Sequence, residues 1–373
     1  MDKTQSSPNS LGDLKRFINR NILAVQPYAP ISPPSVLEEE SGVPQEQIIK
    51  LDGNENPYAP SQRVKEVIAN FPDYNIYPDP DHRILRQRIA EYTGLSADHI
   101  VPGSGADELI DLIFRLFIET GDEVITMPPT FGMYEFDTQI AGGTTIEVSR
   151  KDDFSLDTEK ILSAITPKTK IIICASPNNP TGDLIPQNDL VKILETKVPT
   201  IIDEAYYEFA GSSVSKLILA HENLIVLRSF SKWAGLAGLR VGYGLMCPPL
   251  ASMLFVIKQP YNVNAAGQRG AEESLQDKDF LLESVQKIVA ERERLAPLLK
   301  ATNFLEPYPS TANFILCKVT NGDAQEISNA LRKRGVFIRY FDNPRLRNHI
   351  RISIGTPEQS NTLLKVLEEV GPS

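Results

Sequence analysis

The sequence predicts an α/β fold: a large domain on a mostly parallel sheet flanked by helices, followed by a smaller α+β domain. Three observations point there. Between residues 51 and 262, short β-branched and apolar runs alternate with helix-period patterns, as strands covered on both faces require. After Pro260 the alternation gives way to a long helical stretch and then a strand, helix, strand, strand, helix order. The turns that carry reactive side chains fall just past the apolar runs, where open α/β sheets bind ligands.

In chain order, residues 1–50 read as an N-terminal arm that packs with the smaller domain or with a partner subunit. The arm carries Tyr28 and a proline-rich stretch from Pro27 to Pro34, which favours extended backbone. The large domain spans 51–262, with strands expected at 100–101, 123–126, 145–148, 171–174, 200–202, 225–227 and 242–245. Residues 107–117 place Leu109, Ile110, Leu112, Ile113, Leu116 and Phe117 at helical spacing. The smaller domain spans 263–373. Its segment 265–300 is rich in Glu, Arg, Gln, Ala and Leu and reads as one long helix. Strands at 313–319, 336–340 and 349–354 and helices at 323–334 and 357–370 complete it.

Composition bounds the function. The chain has 373 residues, 41% hydrophobic and 23% charged, with a net charge of −10. That is an ordinary globular composition, and the acidic balance disfavours nucleic acid and anionic membranes as partners. An anionic substrate therefore needs a local arginine cluster. Cys174, Cys247 and Cys317 have no paired spacing and fit a reducing cytoplasm. His82, His99, His221 and His349 show no metal-ligand spacing, so no metal is expected. No apolar run has membrane-spanning length, and the stretch from Met1 to Ile22 does not read as a signal peptide.

Four segments carry the chemistry. In Pro102-Gly103-Ser104-Gly105-Ala106-Asp107-Glu108, small residues join a strand to a helix. Such a helix start can bind phosphate through free amides, or be a plain tight turn with Asp107 as a cap. Asn178-Asn179-Pro180-Thr181-Gly182 is either a bare turn or a ligand loop past strand 171–174. In Ile202-Asp203-Glu204-Ala205-Tyr206, strand alternation sends the two carboxylates to opposite faces. A buried carboxylate there needs backbone amides or a cation such as a protonated pyridine nitrogen.

The fourth segment is Ser229-Phe230-Ser231-Lys232-Trp233, with Arg240 eight positions beyond the lysine. A lysine held against a packed strand end can become an amine nucleophile of the kind Schiff-base chemistry needs. The serines and Arg240 can hold a phosphate beside it. Further along, Phe131 can stack on a flat ring or belong to the core. Arg339 and Arg351 interrupt apolar strands. They either snorkel outward or form inward forks for a carboxylate or phosphate.

Asn-Pro-Thr-Gly, Asp-Glu-Ala-Tyr and Ser-Phe-Ser-Lys, in that order, resemble the fold-type I pyridoxal-phosphate (PLP)-dependent aminotransferases. Asp52-Gly53-Asn54-Glu55-Asn56-Pro57-Tyr58 and Ile76-Tyr77-Pro78-Asp79-Pro80 make the chain most similar to the histidinol-phosphate aminotransferase family, nearest its plant and cyanobacterial branch. The resemblance covers nearly all of the chain from Tyr28 onward.

It implies a homodimeric transaminase of histidine biosynthesis, acting on histidinol phosphate and 2-oxoglutarate to give imidazole acetol phosphate and L-glutamate. Lys232 is then the catalytic amine that binds the cofactor and carries the proton. Asp203 pairs with the pyridine nitrogen, Asn179 and Tyr206 bind the ring oxygen, and Phe131 stacks on the ring. Ala106, Asp107, Ser229, Ser231 and Arg240 surround the cofactor phosphate, with Tyr77 arriving from a partner subunit. Tyr28, Asn54, Arg339 and Arg351 bind substrate.

Phe131 departs from the tyrosine common in the family, and Trp233 beside the lysine is unusual. An aromatic-amino-acid aminotransferase and a threonine-phosphate decarboxylase of the same fold are the neighbouring alternatives. A non-catalytic regulator is disfavoured by the intact Lys232 and by an arm too short for a DNA-binding domain.

Overall fold

The structure, a computed structural model, describes residues 8–58 and 60–372; the first seven residues of the expected arm lie outside the described residues. Its strands are β1 (Ile49–Leu51), β2 (Ile100–Gly103), β3 (Glu123–Thr126), β4 (Thr144–Glu147), β5 (Thr169–Ala175) and β6 (Thr200–Asp203). They continue with β7 (Leu224–Ser229), β8 (Gly242–Leu245), β9 (Leu305–Pro307), β10 (Phe314–Val319), β11 (Val336–Tyr340) and β12 (His349–Ser353).

The larger sheet runs β2-β8-β7-β6-β5-β3-β4. Its neighbours are parallel except at β8, which is antiparallel to both β2 and β7. The carboxyl ends of β2, β3, β5, β6 and β7 therefore share one edge. Ile171, Ile172, Ile173, Ile201, Ile202, Ile225 and Val226 are fully buried, as continuous apolar runs on a two-faced sheet should be. Each contributes on the order of 2 kcal/mol of burial. The helix Gly105–Phe117 buries Leu109, Ile110, Ile113 and Phe114 in the same core as Val101, Ile173 and Leu227.

The smaller sheet runs β1-β11-β12-β10-β9. β1 pairs in parallel with β11, Ile49 opposite Val336. One short strand from the N-terminal part thus completes a sheet otherwise built near the C-terminus. From Leu51 the chain runs as an irregular strap, residues 52–58, toward the larger sheet.

Two sequence expectations are corrected. The helix expected over 265–300 is two helices, Ala265–Gln276 and Lys278–Lys300, broken at Asp277 (φ −99°, ψ 23°). The first packs on helices Gln62–Ala69 and Arg83–Thr93 and the second on β9 and β10, so one straight rod cannot serve both. Aspartate is a poor interior helix residue, and Asp277 sits at the break facing Arg63 at 3.8 Å. The proline-rich stretch is irregular only to Pro33, because Pro34 opens the helix Pro34–Ser41, where a missing N–H costs nothing.

Candidate active site

A cavity of about 500 Å³ opens where the carboxyl edge of the larger sheet meets β11 and β12. Every site residue expected from the sequence lines it except Tyr77. Tyr77 is 77% exposed and stacks on Tyr261, ring centroids 4.3 Å apart.

Lys232 stands on the loop that follows β7. Its Nζ donates to the Gly53 carbonyl at 3.3 Å and lies 5.9 Å from the Tyr206 ring centroid. Burial first, and then the positive charge of Arg351, pull its pKa down to about 8. A substantial neutral fraction near physiological pH makes it a competent nucleophile and base. The next residue, Trp233, is fully buried and stacks on Tyr92 at 5.5 Å with a 9° interplanar angle. That gives the tryptophan its role: it anchors the lysine loop in the core. Its indole nitrogen finds no hydrogen-bond partner among the described residues.

Asp203 and Glu204 part as the alternation requires. Glu204 accepts from Arg228 Nε at 3.0 Å in a buried pair, with the Arg228 guanidinium 3.6 Å from the Tyr207 ring centroid. Asp203 lines the cavity, where its carboxylate accepts from the Tyr134 hydroxyl at 2.8 Å and the Ala205 amide at 3.0 Å. It has no cationic partner among the described residues. Burial therefore pushes its pKa up to about 6 despite those two hydrogen bonds. A cation delivered to this point would find an uncompensated acceptor.

At the start of helix Gly105–Phe117 no side chain caps the first amides, and Ala106 and Asp107 face the cavity with Ser229 and Ser231. Arg240, on the same loop as Lys232, donates to Asp107 Oδ2 at 2.8 Å. Two close approaches shape this end. A Cβ on Gly242 would stand 2.6 Å from the Ala106 nitrogen. One on Gly105 (φ +82°) would stand 2.5 Å from Arg240 Nη2. Uncapped amides, two hydroxyls and a guanidinium make a phosphate cup.

Arg339 and Arg351 are direct cross-strand partners in the β11–β12 register. Like charges so placed repel unless an anion joins them. Arg351 is buried, with Nη1 donating to Asn179 Oδ1 and Nη2 to the Asp52 carbonyl, both at 2.5 Å. Its Nε has no partner among the described residues, and burial lowers its pKa to about 10. Asn179 thus gives its oxygen to Arg351 and keeps its N–H groups for a ligand.

Asn54 donates to the Tyr206 hydroxyl at 3.0 Å and accepts from Ser353 Oγ at 2.9 Å, which leaves one amide hydrogen unassigned. Phe131 meets Tyr28 and Tyr134 edge-on at 6.1 and 5.6 Å, which brings Tyr28 of the arm to the cavity wall. Sequence reasoning missed Tyr134, Asn56 and Ser353. Tyr134 lies in the first turn of the helix Met133–Ala141, just after Phe131 and in edge-on contact with it. The other two act across very long sequence separations, which no local signal reveals.

The profile of the family described as aminotransferase class I and II matches residues 46–367. A histidinol-phosphate aminotransferase of Dehalococcoides mccartyi is 45% identical over 96% of this chain and 99% of its own. The chloroplastic histidinol-phosphate aminotransferase of Nicotiana tabacum is 46% identical over 98% of this chain and 89% of its own. Among solved structures, histidinol-phosphate aminotransferase from Sinorhizobium meliloti in complex with pyridoxal-5'-phosphate superposes with a TM-score of 0.86. It is 29% identical and the match covers 95% of this chain and 97% of that one.

Proposed function

The chain belongs to the class I and II aminotransferase family, and from that premise we propose that it is a PLP-dependent histidinol-phosphate aminotransferase. It converts histidinol phosphate and 2-oxoglutarate into imidazole acetol phosphate and L-glutamate. One observation carries the reading. An amine with a lowered pKa and a buried carboxylate lacking a cation face the same cavity, which also takes in a phosphate cup and paired guanidiniums.

These residues fit PLP group by group. Lys232 offers its amine to the aldehyde, and Asp203 offers its carboxylate to the protonated pyridine nitrogen. The Ala106–Asp107 amides, Ser229, Ser231 and Arg240 receive the phosphate. Asn179 and Tyr206 donate to the ring oxygen, and Phe131 covers the ring. When bound, the cofactor supplies an electron sink conjugated to the substrate's α-carbon.

The chain's own groups do the rest. Lys232 Nζ, its pKa lowered to about 8, would be the base that takes the proton from the substrate's α-carbon and the acid that gives it back. Asp203 holds a proton on the ring nitrogen by remaining ionised beside it. Arg339 and Arg351 clamp the anionic end of either substrate, a phosphate in one and a carboxylate in the other. Tyr28 closes over that end, and Asn54 keeps Tyr206 oriented.

We further propose a homodimer in which Tyr77, exposed and outside this chain's cavity, reaches the phosphate cup of a second copy. The place of action we propose is the cytoplasm, on the unpaired cysteine spacing. No helix among the described residues is long and apolar enough to cross a membrane.

Purified protein given PLP should turn yellow, and borohydride should fix the label on Lys232. With glutamate as amino donor, imidazole acetol phosphate should be consumed faster than phenylpyruvate. A label elsewhere, or a preference for the aromatic substrate, overturns the reading.

A further inference from the structure

The strap of residues 52–58 touches three functional residues, Arg351, Lys232 and Tyr206, and meets Lys232 twice. The Asp52 carbonyl accepts from Arg351, and the Gly53 carbonyl accepts from Lys232 Nζ. Asn54 donates to Tyr206. Asn56 then reaches the lysine from behind: its Nδ2 donates to the Lys232 carbonyl at 2.9 Å and to the Trp233 carbonyl at 3.0 Å. Its Oδ1 accepts from the Tyr58 amide at 2.9 Å. Both amide hydrogens and the oxygen are therefore committed, and a flipped amide would set oxygen against two carbonyls.

From this geometry we infer that Asn56 is a positioning residue for Lys232. A lysine amine at the end of four flexible carbons samples a wide volume unless its backbone is held still. The Lys232–Trp233 segment is held twice, by Asn56 through its carbonyls and by the Trp233 ring stacked on Tyr92. The same strap meets the amine itself through Gly53. One chain segment thus fixes both ends of the lysine, and only the Asn56 contact does so without facing the ligand. The inference rests on the reading of Lys232 as the amine that binds the cofactor.

Pyridoxamine phosphate tests it, because its amine replaces the aldehyde and cannot bond to Lys232. Asn56→Asp keeps the size and the oxygen that caps Tyr58 but turns both donors into an acceptor. Asn56→Ala removes the side chain, and Asn56→Ser restores one short donor. In Asn56→Asp and Asn56→Ala the rate at which added PLP develops its lysine-bound absorbance, and kcat, should fall about tenfold to a hundredfold.

KM and the affinity for pyridoxamine phosphate should stay within about twofold in all three variants, since the cup itself is untouched, and Asn56→Ser should lose less rate than the other two. Unchanged colour development in both variants overturns the inference. So does a loss of pyridoxamine phosphate affinity matching the loss of rate, which marks a general collapse of the cup. If wild-type protein develops no colour and takes no label on Lys232, the functional reading itself has failed.

Discussion

Replacing Asp203 by asparagine should make the cofactor-free protein more stable and the enzyme far less active. Burial holds the Asp203 carboxyl near pKa 6 against an ordinary 3.8. A shift of that size corresponds to about 3 kcal/mol, since each unit is worth 1.36 kcal/mol. The sign follows from which state holds the proton better. The folded state does, so this group's contribution to stability falls as pH rises from the ordinary carboxylate range through 6. At pH 7 the ionised carboxylate costs the folded, cofactor-free protein about 3 kcal/mol.

Asparagine carries no charge at any pH and keeps one of the two acceptor contacts to Tyr134 and Ala205. Losing the other costs about 1 kcal/mol. The net gain at neutral pH is about 2 kcal/mol, a Tm rise of roughly 2–4 °C in a chain of this size. Below the ordinary carboxylate pKa, where Asp203 is protonated in both states, the gain is lost and only the missing contact remains, so the variant should fall about 1 kcal/mol below wild type. Thermal unfolding of cofactor-free wild type and Asp203→Asn from about pH 3 to 8 measures this directly. In the loaded enzyme kcat should drop by about a hundredfold or more. A cofactor-free variant less stable than wild type at pH 7, or one with the same pH slope, refutes the argument that the carboxylate lacks a partner.

Three further outcomes follow from the same geometry. The rate at which cofactor-free protein captures PLP should rise with pH around a midpoint near 8, the pKa of Lys232; a flat profile in stopped-flow absorbance contradicts a titrating amine. Arg351→Lys replaces a two-pronged fork by a point charge, losing one charged hydrogen bond of about 1.5–3 kcal/mol. KM for both substrates should rise roughly tenfold to a hundredfold in steady-state assays, with kcat less affected. Gly105→Ala forces a Cβ into Arg240 at a positive φ. It should cost about 1–2 kcal/mol of stability and weaken PLP binding, read by denaturation and by cofactor titration.

The large sheet was legible because its strands are continuous apolar runs with turn residues after them, and burial on two faces leaves that mark in the sequence. The order of Asn179, Asp203, Tyr206 and Lys232 was legible for the same reason, since Asp203 ends a strand that declares itself and the others follow one. What stayed hidden is what depends on long-range pairing. Ile49–Leu51 is too short and too polar in its surroundings to announce a strand, and only β11 makes it one. The break at Asp277 hides among good helix formers, because the need for two helix directions comes from what each half packs against. Trp233 looked anomalous beside a reactive lysine, and burial against Tyr92 supplied its reason. Tyr134 and Asn56 owe their importance to partners far away in sequence, Asp203 and the Lys232 loop.

The placement of β1 has a consequence for how the protein is made. Ile49–Leu51 leaves the ribosome early, but its one neighbour in the sheet among the described residues, β11, is synthesised near the end of the chain. Until then the strap that follows β1 has no fixed starting point, so neither Gly53 nor Asn56 can be presented to Lys232. Arg351 comes later still. A nascent chain can therefore assemble its large sheet and the groups assigned to PLP while Lys232 still lacks the brace from Asn56. Truncation within the last strands should yield protein that takes up PLP more slowly than the full chain and lacks the Arg351 grip on substrate.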